Sequence, residues 1–144
     1  MKKKILILAG GFSREREISL KTAKGVYKQI KRKYYVKICE PNGDLIKNLR
    51  SFKPDVVFNA LHGRYGEDGY VQSILESEKI KYTHSGVLSS SIAIDKEISK
   101  NVFIKNNILT PRYFKFKFSK LKRKSELIRK IKSNLSFPVV IKPF

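Results

Sequence analysis

An apolar run, Ile5-Leu6-Ile7-Leu8-Ala9, stops at Gly10-Gly11 and gives way to Arg14-Glu15-Arg16-Glu17. Five apolar residues without alternation describe a strand buried on both faces, as in a parallel sheet. Leu20, Ala23, Val26, Tyr27 and Ile30 then recur at helical spacing and predict a helix over 20–30. The junction is strand, glycine turn, helix: the start of a βα unit, where open α/β sheets bind their ligands. Paired glycines permit a tight turn and close approach of a ligand to the backbone. A dinucleotide turn would carry more glycine here, and a phosphate cradle calls for bare N–H groups without carboxylates. Glu15 and Glu17 suit a cationic group instead, such as a substrate ammonium.

The same alternation continues down the chain. Tyr34 to Cys39 reads as a second strand, Pro41-Asn42-Gly43-Asp44 as a turn and Leu45 to Phe52 as a short helix. Asp55 to Ala60 is another buried strand. It ends in Leu61-His62-Gly63-Arg64-Tyr65-Gly66-Glu67-Asp68-Gly69, a loop crowded with glycines and titratable groups. A helix follows over Tyr70 to Glu78, with Glu67 and Asp68 as its capping acids. Lys79 to Thr83 reads as a fourth, short strand. Strands alternating with helices argue for a parallel sheet with helices on its faces.

Beyond His84-Ser85-Gly86 the signals weaken. Leu88 to Ile94 is weakly helical, and Asp95 is placed to cap a helix from Lys96 to Asn106. Tyr113 to Phe118 alternates aromatic residues with lysine, as a half-buried strand does; base stacking between cations is the other reading of that pattern. Lys120 to Ser133 reads as a basic helix burying Leu121, Leu127, Ile128 and Ile131. Phe137 to Pro143 reads as a last strand, with Lys142 the one charge on it, so that Lys142 must face something polar. A final strand without a partner predicts a truncated chain.

Charge narrows the function classes. The net charge is +20, with +8 carried by residues 1–95 (18 basic, 10 acidic) and +12 by residues 96–144 (14 basic, 2 acidic). The excess is mostly lysine spread along the chain, which reads as a solvated surface; a basic nucleic-acid-binding module is the alternative. The single Cys39 excludes an internal disulfide, offers no metal cluster and reads as a small buried hydrophobe. No run is long and apolar enough to cross a bilayer, and the short apolar run after Met1-Lys2-Lys3-Lys4 is a first strand and not a signal peptide. A cytoplasmic protein is expected, without specific nucleic-acid or membrane partners.

Four constellations then stand in register: Gly10-Gly11-x-Ser13-x-Glu15-Arg16-Glu17-Ile18-Ser19, His62-Gly63-x-x-Gly66-Glu67-Asp68-Gly69, Tyr82-Thr83-x-Ser85-Gly86 and Ile141-Lys142-Pro143, with Asp95-Lys96 between the last two. In order and spacing they resemble the D-alanine–D-alanine ligases of the ATP-grasp superfamily, along nearly the whole chain. The resemblance implies an α/β, Rossmann-like parallel sheet flanked by helices over residues 1–86. It implies an incomplete start of the central ATP-binding lobe over 87–144.

It also implies the chemistry of joining two D-alanines for peptidoglycan synthesis. ATP and Mg2+ phosphorylate the carboxylate of the first D-alanine, and the amine of the second attacks the acyl phosphate. Glu15 would hold the first ammonium and count as the catalytic residue, Ile18 would lie near the methyl group, and His62 would join the hydrogen-bond network. Lys96 and Lys142 would approach the ATP phosphates. The magnesium ligands of the family lie further on, so no metal ligand is expected here and these 144 residues alone are expected to be inactive. D-alanine–D-lactate and D-alanine–D-serine ligases fit the same motifs. Family resemblance further implies a homodimer through the amino-terminal lobe. Phe144 stands where the family has a small or polar residue, His84 where it usually has glycine, and Arg14 replaces a smaller residue and points to solvent.

Overall fold

The computed structural model describes residues 2–117, 119 and 123–142. Two compact units divide the chain, residues 1–94 and residues 95–144.

The first unit contains the sheet. Its elements are β1 (Lys4–Leu8), α1 (Arg16–Ile30), β2 (Tyr35–Cys39), α2 (Leu45–Phe52), β3 (Val56–Asn59), α3 (Tyr70–Ser77), β4 (Tyr82–Thr83) and α4 (Val87–Ile94). The strands lie in the order β2-β1-β3-β4 and every pairing is parallel. β1 is interior, with Leu6 opposite Lys37 on one side and Val57 on the other.

Alternation along β1 builds two half-cores. Leu6 and Leu8 face Leu45, Leu49, Val71 and Leu75 from α2 and α3. Ile7 and Ala9 face Ala23 and the α1 residues Leu20, Val26 and Tyr27. The helical period read in α1 is therefore its buried face. Leu6, Ile7, Leu8, Val57 and Leu75 have no exposed surface, and burying each such side chain contributes about 1.5–3 kcal/mol. Cys39 belongs to the same core, and burial pushes its thiol pKa up.

With α1 on one face and α2 and α3 on the other, connections leave β1 and β3 toward opposite faces. Adjacent parallel strands that diverge in this way open a crevice at their carboxyl ends. Both glycine-flanked loops begin there.

The fourth strand is shorter than the apolar pattern implies, because residues 78–80 close α3. Ile80 N–H donates to Leu75 O at 2.9 Å and Lys79 adopts a φ of 56°. Only then does the chain pair, through Tyr82 and Thr83. Tyr82 is fixed to α3 by its hydroxyl, which donates to Glu76 Oε1 at 2.7 Å. Burial and that carboxylate push its phenol pKa up to about 12.

The second unit has α5 (Lys96–Lys105) and α6 (Lys124–Asn134). Asp95 caps α5 as expected, its Oδ1 accepting from Glu97 N–H and Ile98 N–H, both at 2.9 Å. Asp95→Ala should cost this unit about 1 kcal/mol, read as an earlier thermal loss of helical amide protection in residues 96–105. Of the expected buried face of α6, Ile131 is buried and Leu127 half-buried, while Ile128 is exposed; Leu121 lies outside the described residues.

Two expected strands are not formed. Residues 113–117 stay unpaired as a strand, and Phe118 lies outside the described residues. Their alternation serves α5 instead: Tyr113 Oη donates to Asn101 Oδ1 at 2.9 Å, and Lys115 is paired with Glu97. Residues 137–142 are likewise unpaired, with Val140 and Ile141 exposed; Pro143 and Phe144 lie outside the described residues. A strand needs a neighbour for its N–H and C=O groups, and no described residue of this unit offers one. Lys142 is thus an exposed residue of an irregular segment, not the charge on an apolar strand.

Candidate functional site

The first loop is built around Gly10 and Gly11, at φ 85° and 80°. Gly10 N–H donates to the fully buried Ser19 Oγ at 2.8 Å, so α1 holds the turn from beneath. A Cβ at Gly10 would lie 2.6 Å from Glu40 Oε2. That carboxylate also accepts from Arg16 Nη2 at 2.5 Å, tying the end of β2 to the first residue of α1. The charge run thus divides its labour. Arg16 is used by the fold, Arg14 is exposed, and Glu15, directly before the helix, keeps an exposed side chain. Among the described residues its carboxylate has no hydrogen-bond or ion-pair partner.

The second loop is organised from inside by Asn59, at the end of β3. Its Oδ1 accepts from Leu61 N–H at 3.1 Å and its Nδ2 donates to Gly66 O at 2.8 Å. Gln72, fully buried on α3, donates a second bond to Gly66 O at 2.9 Å. The two acids at the end of the loop separate: Asp68 Oδ1 accepts from Tyr70 N–H at 3.1 Å at the start of α3, whereas Glu67 Oε2 turns back to Gly63 N–H at 2.9 Å. Only Asp68 serves the helix in the way the sequence led one to expect. His84 has a φ of 149°, in the region that favours glycine, with its Nδ1 3.4 Å from Asn59 Nδ2.

The loops meet at Gly63, whose φ is 69°. A Cβ there would lie 2.8 Å from Glu15 Oε2, so the missing side chain makes room for the carboxylate. Ser13 Oγ donates to His62 O at 2.8 Å and accepts from Glu15 N–H at 3.1 Å. His62 Nε2 lies 3.2 Å from Thr22 Oγ1, and its Nδ1 lies 3.8 Å from Glu67 Oε1. The structure therefore brings Glu15 and His62 to one crevice, joined through Ser13 and Gly63. Ile18 is on the first turn of α1, 55% exposed. Lys96, the first residue of α5, and Lys142 belong to the second unit.

Sequence reasoning passed over Thr22 and the structural use of Ser13. The signal available was Ser19 and Thr22, two hydroxyls three residues apart on an otherwise apolar helix face.

The chemistry of the site follows from its groups. A solvent-open carboxylate without a partner binds an ammonium well. In the second unit, described by itself, Lys96 stands at the head of α5 and is of the side-chain type that suits a phosphate oxygen as a point charge. The amides at the start of α5 do not add to it, because Asp95 already takes those of Glu97 and Ile98. Among the described residues no three His, Cys, Asp or Glu side chains gather as a metal site. No helix among them is long and apolar enough to cross a membrane.

Comparison with known proteins agrees with this architecture. Residues 37–85 match the family model "D-ala D-ala ligase N-terminus". A D-alanine–D-alanine ligase of Pelagibacter ubique is 63% identical over 144 residues, covering 99% of this chain and 47% of the relative. One from Rickettsia canadensis is 50% identical over 108 residues, covering 74% of this chain and 30% of the relative. The chain thus spans less than half the length of these relatives. The crystal structure of the D-alanine–D-alanine ligase of Bacillus anthracis complexed with ATP superposes with a TM-score of 0.70 at 31% identity, over 91% of this chain and 54% of that one. Fold and loops together define the Rossmann-like amino-terminal lobe of an ATP-grasp protein. Over nearly its whole length the chain is similar to the amino-terminal portion of the D-alanine–D-alanine ligases.

Proposed function

We propose that this chain is the first-substrate lobe of an ATP-dependent, cytoplasmic ligase that joins two D-alanines for peptidoglycan synthesis. One observation carries the reading: the unpaired Glu15 carboxylate at the crevice between β1 and β3, beside the space left by Gly63. Glu15 accepts the ammonium of the first D-alanine. Ile18 borders its methyl group, and His62, oriented by Thr22, belongs to the polar surround. Holding the ammonium leaves the substrate carboxylate as the end to be activated. ATP, when bound with Mg2+, supplies the phosphoryl group; ADP leaves, the second amine attacks the acyl carbon, and phosphate departs with the new amide formed. Lys96 and Lys142 lend positive charge to the phosphates. Such catalysis is mostly positioning and electrostatic stabilisation.

Titration of the 144-residue chain with D-alanine, followed by amide chemical shifts, tests the reading. Saturable shifts at residues 11–18 and 62–67 are expected, with L-alanine weaker. An absence of saturable binding overturns it. In a D-alanine-dependent phosphate-release assay the chain alone should give no turnover, and robust release would refute that part.

A further inference from the structure

The loop that carries Glu15 has little backbone bonding to fix it, yet its carboxylate must stay beside Gly63 to be useful. Aromatic rings supply a second tie. Phe12, in the first loop, meets Tyr65, in the second, edge to face, with centroids 6.3 Å apart and planes at 85°. Tyr65 in turn meets Tyr70, at the start of α3, at 5.2 Å and 72°. The Arg64 guanidinium lies 5.1 Å from the Tyr65 ring centre. Phe12 is 74% exposed and Tyr70 56% exposed, so the row of rings is a surface feature and not part of the core.

Tyr65 is the unexpected member. Its φ of 67° is left-handed, a conformation in which glycine would be at ease and a large side chain is not. The loop holds it there from both ends: its N–H donates to Asp68 Oδ2 at 2.8 Å, and its carbonyl accepts from Val71 N–H at 3.2 Å. Strain so fixed is a mark of functional sites. What the tyrosine adds over glycine is its ring, the aromatic partner of Phe12 among the described residues.

We propose that Phe12, Tyr65 and Tyr70 form a clasp between the two loops and act as positioning residues for the Glu15 carboxylate. The half of this inference that concerns D-alanine rests on the function proposed above; the clasp itself does not. Edge-to-face pairs of this geometry hold exposed segments together beyond their buried area, and they add to the hydrogen bond from Ser13 Oγ to His62 O that joins the loops.

The test uses Tyr65→Gly in the 144-residue chain, with hydrogen exchange at the Glu15 amide and D-alanine affinity as readouts. Glycine relieves the backbone, so the melting temperature should equal or exceed that of the parent chain. Exchange at Glu15 should rise, and D-alanine should bind about three- to tenfold more weakly, the range expected for lost ring pairs. Tyr65→Phe should restore both, since the Tyr65 hydroxyl makes no hydrogen bond among the described residues. Phe12→Ala, at an exposed position, should repeat the effect and serves if Tyr65→Gly fails to fold. Unchanged exchange at Glu15 overturns the clasp, and raised exchange with unchanged affinity overturns its positioning role. Raised exchange in a family of variants whose parent does not bind D-alanine supports the clasp and refutes the proposed function.

Discussion

Glu15→Gln should weaken D-alanine binding by on the order of 10- to 100-fold while leaving the melting temperature where it was. A hydrogen bond to a charged group contributes about 1.5–3 kcal/mol, and each 1.4 kcal/mol is about tenfold in affinity. Glutamine keeps the shape and one acceptor oxygen, so it fits the space beside Gly63. What it removes is the charge facing the ammonium. Stability should shift by no more than about 0.5 kcal/mol, because the side chain is exposed and its carboxylate has no hydrogen-bond or ion-pair partner among the described residues. Glu17→Gln, one helical position from an exposed neighbour, is the matched control and should bind D-alanine as the parent does. Equal affinities for the two variants, measured by titration calorimetry, would remove Glu15 from the site.

Gly66→Ala should do the reverse and damage the fold. The added Cβ would lie 2.3 Å from Leu61 Cβ and 3.2–3.3 Å from the Leu61 backbone. Leu61 is a core residue, and a backbone contact cannot rotate away. Gly66 O also accepts the buried amides of Asn59 and Gln72, so any shift that makes room weakens both bonds. Overpacking costs about 1–3 kcal/mol, and loosening a buried hydrogen bond about 1 kcal/mol more. A loss of about 2–4 kcal/mol is expected, read as a clear drop in the denaturant midpoint. Gly25→Ala gives the opposite sign. It lies exposed within α1 with nothing within 4 Å of its would-be Cβ, and removing a helical glycine should add about 0.5–1 kcal/mol.

These two loops also show how far residues alone carry the structure. The runs Ile5–Ala9 and Asp55–Ala60 announce themselves because both faces of a parallel strand are mostly apolar. The α1 period survives intact because the same residues that repeat at helical spacing fill one half-core. Glu15 and His62 could be singled out because glycines and charges rarely crowd strand ends without reason. That the two loops face one site was legible from the strand ends and the family resemblance; how they meet was not, since it depends on Gly63 lacking a side chain and on the contacts of Ser13 and Thr22 with His62. The aromatic alternation at 113–117 misled because a period of two records only that alternate residues find a surface. Here the surface is α5, through Asn101 and Glu97, and not another strand.

The interior place of β1 also bears on how the chain assembles. Strand β1 pairs with Tyr35–Cys39 on one side and with Val56–Asn59 on the other. Residues 16–30 and more of the chain separate each pair of partners, so both pairings are distant in sequence and loop closure weighs on the rate. The glycine turn after Leu8 and the loop after Asn59 are the last links between those strand ends and their helices. Recognition of a ligand there is therefore completed only when β3 docks beside a strand made some fifty residues earlier, and not by any local piece of chain.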